Sequence, residues 1–95
     1  MALQEFYGEG CPHCVNMAPL VARLEKERGM TVEKKEVWKN PAHAREMEAV
    51  DGGNCGGVPF FYNTETKDFL CGESTYEVLQ SWARGGAAGA AAEEG

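Results

Sequence analysis

Leu3-Gln4-Glu5-Phe6-Tyr7-Gly8-Glu9-Gly10-Cys11-Pro12-His13-Cys14 is the stretch from which the rest of the chain is read. Leu3, Phe6 and Tyr7 form an apolar run that reads as a strand over residues 2–7, ended by Gly8-Glu9-Gly10. Beyond Cys14, the residues Val15, Met17, Ala18, Leu20, Val21 and Leu24 recur at helical spacing. A helix is therefore expected over about 12–28, with Gly29 as its C-cap. Pro19 falls inside it and is expected to kink it, because proline removes a backbone donor. The cysteine pair thus lies where a strand passes into a helix, with Cys11 at or near the helix N-terminus. Unpaired N–H groups and the helix dipole favour an anion there, and the thiolate is the form that attacks disulfides. Cys14, one turn further on, is spaced to close a Cys11–Cys14 bond. The pattern is that of a redox-active dithiol.

Two other readings of the same residues stand beside it. Zinc needs about four ligands, commonly including a second closely spaced pair. Here Cys55 and Cys71 are far apart in sequence and His43 is isolated. A zinc or iron–sulfur site built from Cys11, Cys14, Cys55 and Cys71 is the metal alternative; the leading expectation is no metal and no other cofactor. Two structural cysteines are the third reading, but Pro12-His13 is poor core material.

At 95 residues the chain has room for one small domain. That domain is expected over residues 1–84, followed by a disordered Gly/Ala/Glu tail over 85–95. The net charge is −6, of which Glu93 and Glu94 carry two. No basic stripe is present, and Lys34-Lys35 is flanked by Glu33 and Glu36, so a nucleic acid or an anionic membrane is not an expected partner. No apolar stretch approaches the ~20 residues that span a bilayer. Met1-Ala2-Leu3-Gln4-Glu5 lacks the basic start and long apolar stretch of a signal peptide.

Residues 31–38 partly alternate and read as a second strand. Asn40-Pro41 looks like a cap followed by a first-turn proline, opening a helix over about 41–50 with Ala44, Met47 and Val50 on one stripe. Asp51-Gly52-Gly53-Asn54-Cys55-Gly56-Gly57 is a loop. Val58 to Tyr62 reads as a buried strand, residues 63–67 turn the chain, and Asp68 to Cys71 return it. Ser74 or Thr75 caps a last helix carrying Tyr76, Val78, Leu79 and Trp82. Trp38 and Trp82 are expected to pack, and His43 to lie on the exposed side of its helix. The order is βαβαββα, an α/β fold with a mixed four-stranded sheet flanked by helices.

Taken together, these residues resemble the thioredoxin superfamily over roughly residues 2–84. A strand leads into the C-x-x-C motif, Pro19 follows Cys14 by five residues, Gly57-Val58-Pro59 opens the third strand, and Gly72 follows the fourth. The resemblance implies a cis proline at Pro59 facing the dithiol. Val58, Pro59 and Pro12 would then form the surface on which an extended substrate segment pairs. It also implies that Glu5, six residues before Cys11, is a buried acid that relays a proton to or from Cys14; the alternative is a strand-edge glutamate facing water. Cys-Pro-His-Cys is similar to the motif of periplasmic thiol oxidases, without their inserted helical domain. Gly10 replaces the thioredoxin tryptophan. Glu9 lies where glutaredoxins carry a basic residue, so glutathione binding is not expected.

The implied activity is that of a monomeric protein disulfide oxidoreductase. Pro12-His13 between the cysteines argues for a more oxidising potential than that of a reducing thioredoxin. The acidic composition and the N-terminus without a leader pattern instead fit a reductase in the cytoplasm or an organelle stroma, which is the expected direction. Its partners are protein disulfides and a recycling reductase or oxidase. Cys11 attacks and Cys14 resolves; His13 either favours the Cys11 thiolate or serves as an exposed spacer. Cys55 and Cys71 either form a second disulfide, or supply a second resolving thiol, or are buried small residues. A non-catalytic adaptor with the same fold is the remaining alternative class.

Overall fold

The elements follow in the order β1 (Leu3–Tyr7), α1 (Pro12–Arg28), β2 (Val32–Glu36), α2 (Pro41–Asp51), β3 (Phe60–Asn63), β4 (Phe69–Cys71) and α3 (Tyr76–Arg84). They belong to a computed structural model that describes residues 3–84; the tail expected over 85–95 lies outside the described residues. The four strands are ordered β2-β1-β3-β4, with β1 and β2 parallel and the other two pairings antiparallel. The architecture is α/β, a mixed four-stranded sheet with three helices.

Local chemistry sets the element ends. Pro12 opens α1, where its missing N–H costs no intrahelical bond, and Gly29 closes it in the left-handed region at φ 64°. The helix runs without a break through Pro19 for 17 residues. Asn40 caps α2 by accepting the N–H groups of Ala42 and His43 at 3.0 and 3.2 Å. Thr75 Oγ1 accepts the Val78 N–H at 3.3 Å at the start of α3.

β2 is shorter than the run of 31–38 expected from its alternation. Past Val37, whose N–H bonds Tyr7 O at 2.8 Å, the Glu36 carboxylate turns the chain. It accepts the backbone N–H groups of Trp38 at 3.2 Å and Lys39 at 2.8 Å. β3 begins at Phe60 rather than Val58, since Pro59 has no N–H to offer the ladder.

The sheet separates two apolar cores. On one face α1 and α3 pack Met17, Val21, Leu24, Leu79 and Trp82 against Leu3 and Phe61. On the other, Met47 of α2 packs with Phe6 and Phe60. Alternation along β1 therefore puts Glu5, two residues after Leu3, on the face that α1 covers. Tyr76 Oη donates to Glu27 at 2.9 Å and the Arg23 guanidinium lies 3.9 Å from the Tyr76 ring centre, tying α3 to α1. Truncating a fully buried residue such as Leu24 or Leu79 to alanine would cost about 2–5 kcal/mol.

Two expectations are corrected here. Trp38 is 58% exposed rather than packed in a core. Its indole lies across Gly8, where a Cβ would come within 2.2 Å of the ring. His43 is half-buried rather than exposed, with Nδ1 3.0 Å from the Glu36 carbonyl, because that carbonyl faces the first turn of α2. Among the described residues, no helix is long and apolar enough to cross a membrane.

Candidate active site

Gly10, at φ 87°, carries the chain from β1 to α1 in a conformation that favours glycine. The Cys11 N–H bonds back to Gly8 O at 3.0 Å. Cys11 is itself the cap of α1: its backbone is extended and its Sγ accepts the Cys14 N–H at 3.3 Å. A sulfur held against a helix N-terminus in this way is placed where negative charge is favoured. Cys11 Sγ also lies 3.9 Å from the Val58 carbonyl oxygen, next to the cis Val58–Pro59 peptide bond. Cys11, Cys14, Val58 and Pro59 thus converge across 47 residues of sequence. Pro12 is exposed beside them. Both cysteines are free thiols, 3% and 6% exposed respectively.

Burial, followed by its contact with Cys11, pushes the Cys14 pKa up to about 12. Beneath it, Glu5 is 5% exposed, which rules out a water-facing strand-edge glutamate. Burial raises the carboxyl pKa of Glu5, against the opposing pull of Lys34, its neighbour on β2. Glu5 and Cys14 line one cavity of about 350 Å³, shared with Tyr7, Ala18 and Lys34.

His13 is exposed, and its Nδ1 pairs with Glu73 Oε2. Asn16, one turn further along α1, donates Nδ2 to the same oxygen at 3.0 Å. These two contacts hold the Glu73 carboxyl below the usual carboxylate range. Nothing in the local sequence marks Glu73, since its partners lie 60 and 57 residues away.

Cys55 and Cys71 are joined, with Cα atoms 5.4 Å apart. Cys71 pairs with Phe60 across β3 and β4, and the next N–H, of Gly72, bonds Pro59 O at 2.8 Å. The bond therefore ties the glycine-rich loop to the strand edge alongside Pro59. The loop is seated by Asp51, which ends α2 instead of opening the loop: its two oxygens accept the N–H groups of Cys55 at 2.7 Å and Gly56 at 2.9 Å. Asp51 was not singled out as a site residue, though an Asp at a helix end before a Gly/Asn run is a recognisable capping signal. Among the described residues, no three His, Cys, Asp or Glu side chains are grouped so as to hold a metal.

A second cavity of about 510 Å³ opens on the other side of Val58, walled by Trp38, Met47 and the loop glycines. Trp38 is presented there on a braced turn. Glu36 accepts the Glu9 N–H at 2.8 Å, and Lys39 Nζ pairs with Glu9 at 2.8 Å. Compared with known proteins, the chain matches no family model, no curated protein and no solved structure.

Proposed function

We propose that this protein is a small thioredoxin-like thiol–disulfide oxidoreductase that reduces disulfides in protein substrates through Cys11 and Cys14. The observation that carries the reading is the placement of Cys11. Its sulfur caps α1, accepts the Cys14 N–H, and lies beside the Val58 carbonyl.

In the first step the Cys11 thiolate attacks a substrate disulfide. A Cys11–substrate bond forms, the substrate S–S bond breaks, and one substrate sulfur leaves as a thiolate that takes up a proton. Cys14 then loses its proton and attacks Cys11 Sγ, closing Cys11–Cys14 and releasing the second substrate thiolate. Two electrons pass from the dithiol to the substrate. Because the Cys14 pKa lies at about 12, the second step needs a proton acceptor, and the buried Glu5 carboxylate on the same cavity supplies one. Val58, half-buried, and the exposed ring of Pro12 flank an extended substrate segment. A recycling reductase restores the dithiol. The reductive direction fits a cytoplasmic or stromal setting, where the Cys55–Cys71 bond must resist the glutathione pool.

The test is trapping. Cys14→Ser protein incubated with a disulfide-bonded protein substrate should accumulate a mixed disulfide at Cys11, resolved by mass. Absence of any adduct at Cys11, with the variant folded, would defeat the proposal.

A further inference from the structure

The segment Cys71-Gly72-Glu73-Ser74 crosses in front of α1 and is pinned at each step. Cys71 is bonded to Cys55, the Gly72 N–H to Pro59 O at 2.8 Å, and the Ser74 N–H contacts Met17 Sδ at 3.4 Å. Gly72, at φ 77°, makes the reversal that brings Glu73 back towards the helix. The result is a carboxylate held in place over the first turn of α1 although it is exposed. It pairs with His13 Nδ1 and accepts from Asn16 Nδ2 through one oxygen. His13 and Asn16 are three apart and share one helix face, so the carboxylate engages both at once.

This arrangement bears on the dithiol. A protonated imidazole two residues from Cys11 favours the thiolate, whereas the same imidazole paired with a carboxylate presents almost no net charge. The polar contacts of Cys11 Sγ run to the Cys14 N–H and the Val58 carbonyl, and the contact of His13 Nδ1 runs to Glu73. We infer that Glu73 is a positioning residue for the exchange reaction: by holding His13 it lowers the thiolate fraction of Cys11 and makes the dithiol more reducing than Cys-Pro-His-Cys alone would make it. The inference rests on the exchange reading above and concerns a residue outside the dithiol. The sign follows from the redox couple. Anything that stabilises the Cys11 thiolate stabilises the reduced protein, and so makes the disulfide form the stronger oxidant.

The experiment compares wild type, Glu73→Gln, Glu73→Asp, and Glu73→Gln in a His13→Asn background. Iodoacetamide alkylation of Cys11 at pH 6 is followed by mass, alongside the equilibrium constant for oxidation by glutathione disulfide. Glu73→Gln should alkylate about two- to fivefold faster, the range of an exposed ion-pair interaction, and shift the equilibrium in the same direction, towards the dithiol. Glu73→Asp should restore values near wild type, and in the His13→Asn background Glu73→Gln should change neither reading. Equal alkylation by wild type and Glu73→Gln would overturn the inference, as would an undiminished effect without His13. The alkylation rate needs no turnover, so its result stays separable from the exchange reading, which fails instead if wild-type Cys11 and Cys14 show no reversible couple.

Discussion

Glu5 and Cys14 face one cavity from neighbouring elements, β1 and α1, and burial raises the pKa of both. Each effect follows from the same packing. The β1 alternation that turns Leu3 into the α1–α3 core also turns Glu5 under the first turn of α1. The raised carboxyl pKa makes Glu5 a stronger proton acceptor towards the Cys14 thiol than an exposed carboxylate would be.

Replacing Glu5 should therefore separate stability from chemistry. Its carboxyl pKa is raised above 4.5 in the folded protein, chiefly by burial. At pH below the ordinary carboxylate range Glu5 is neutral in both folded and unfolded chains and imposes no penalty. As pH rises through the ordinary value and then the raised one, the unfolded chain releases this proton first, and the folded protein loses stability. Thermal melts of Glu5→Gln and wild type should coincide near pH 4 and diverge by a few degrees in favour of Glu5→Gln towards pH 8. A difference independent of pH would contradict the assignment. The same variant should resolve a Cys11 mixed disulfide roughly 100-fold more slowly at neutral pH, with the first attack little changed.

The Cys55–Cys71 bond joins residues at a sequence separation of 16 and closes a loop that contains Val58 and Pro59. In the chain-entropy treatment a loop of that size stabilises by about 3 kcal/mol. Changing both residues to serine should lower Tm by roughly 12–24 °C for a domain of this size. Asp51 still caps the loop in that variant through Cys55 N and Gly56 N, so Cys11 trapping of substrate should persist in the folded fraction. A melting temperature equal to wild type under oxidising conditions would contradict this account of the bond.

Gly8 opens the turn into Cys11, and its lack of a side chain answers to packing against Trp38 rather than to a positive φ. A Cβ built there lies 2.2 Å from the Trp38 indole. Because Trp38 is 58% exposed, it can swing away, so Gly8→Ala should cost no more than about 1 kcal/mol while freeing the indole. Acrylamide quenching should rise for Trp38 and stay low for Trp82, which is fully buried. Unchanged quenching would show that the indole does not rest on Gly8.

Much of the scaffold was legible in the sequence because short-range chemistry specifies it. The Asn40-Pro41 start of α2, the Gly29 end of α1 and the strand-to-helix junction at Cys11-Pro12 each depend on residues within one turn. The order of seven elements and the mixed sheet follow from them. What was not legible depends on contacts made only after folding. Trp38 lies in an apolar pattern, yet the three N–H bonds to Glu36 turn it out of the sheet and onto Gly8. His43 is drawn inward by the Glu36 carbonyl. Glu73 meets His13 because Gly72 reverses the chain there and Pro59 holds Gly72, and neither residue carries a local mark of that meeting.

The central claim is that Cys11 and Cys14 form the working redox pair. It is tested most directly by titrating purified metal-free protein against glutathione or dithiothreitol buffers, with alkylated thiols counted and located by mass. The account predicts a reversible two-electron couple at Cys11–Cys14 closer to about −270 mV, the thioredoxin range, than to about −120 mV, the range of a strong oxidant. A protein in which Cys11 and Cys14 alkylate identically across the whole buffer series, with no reversible bond between them, would contradict it.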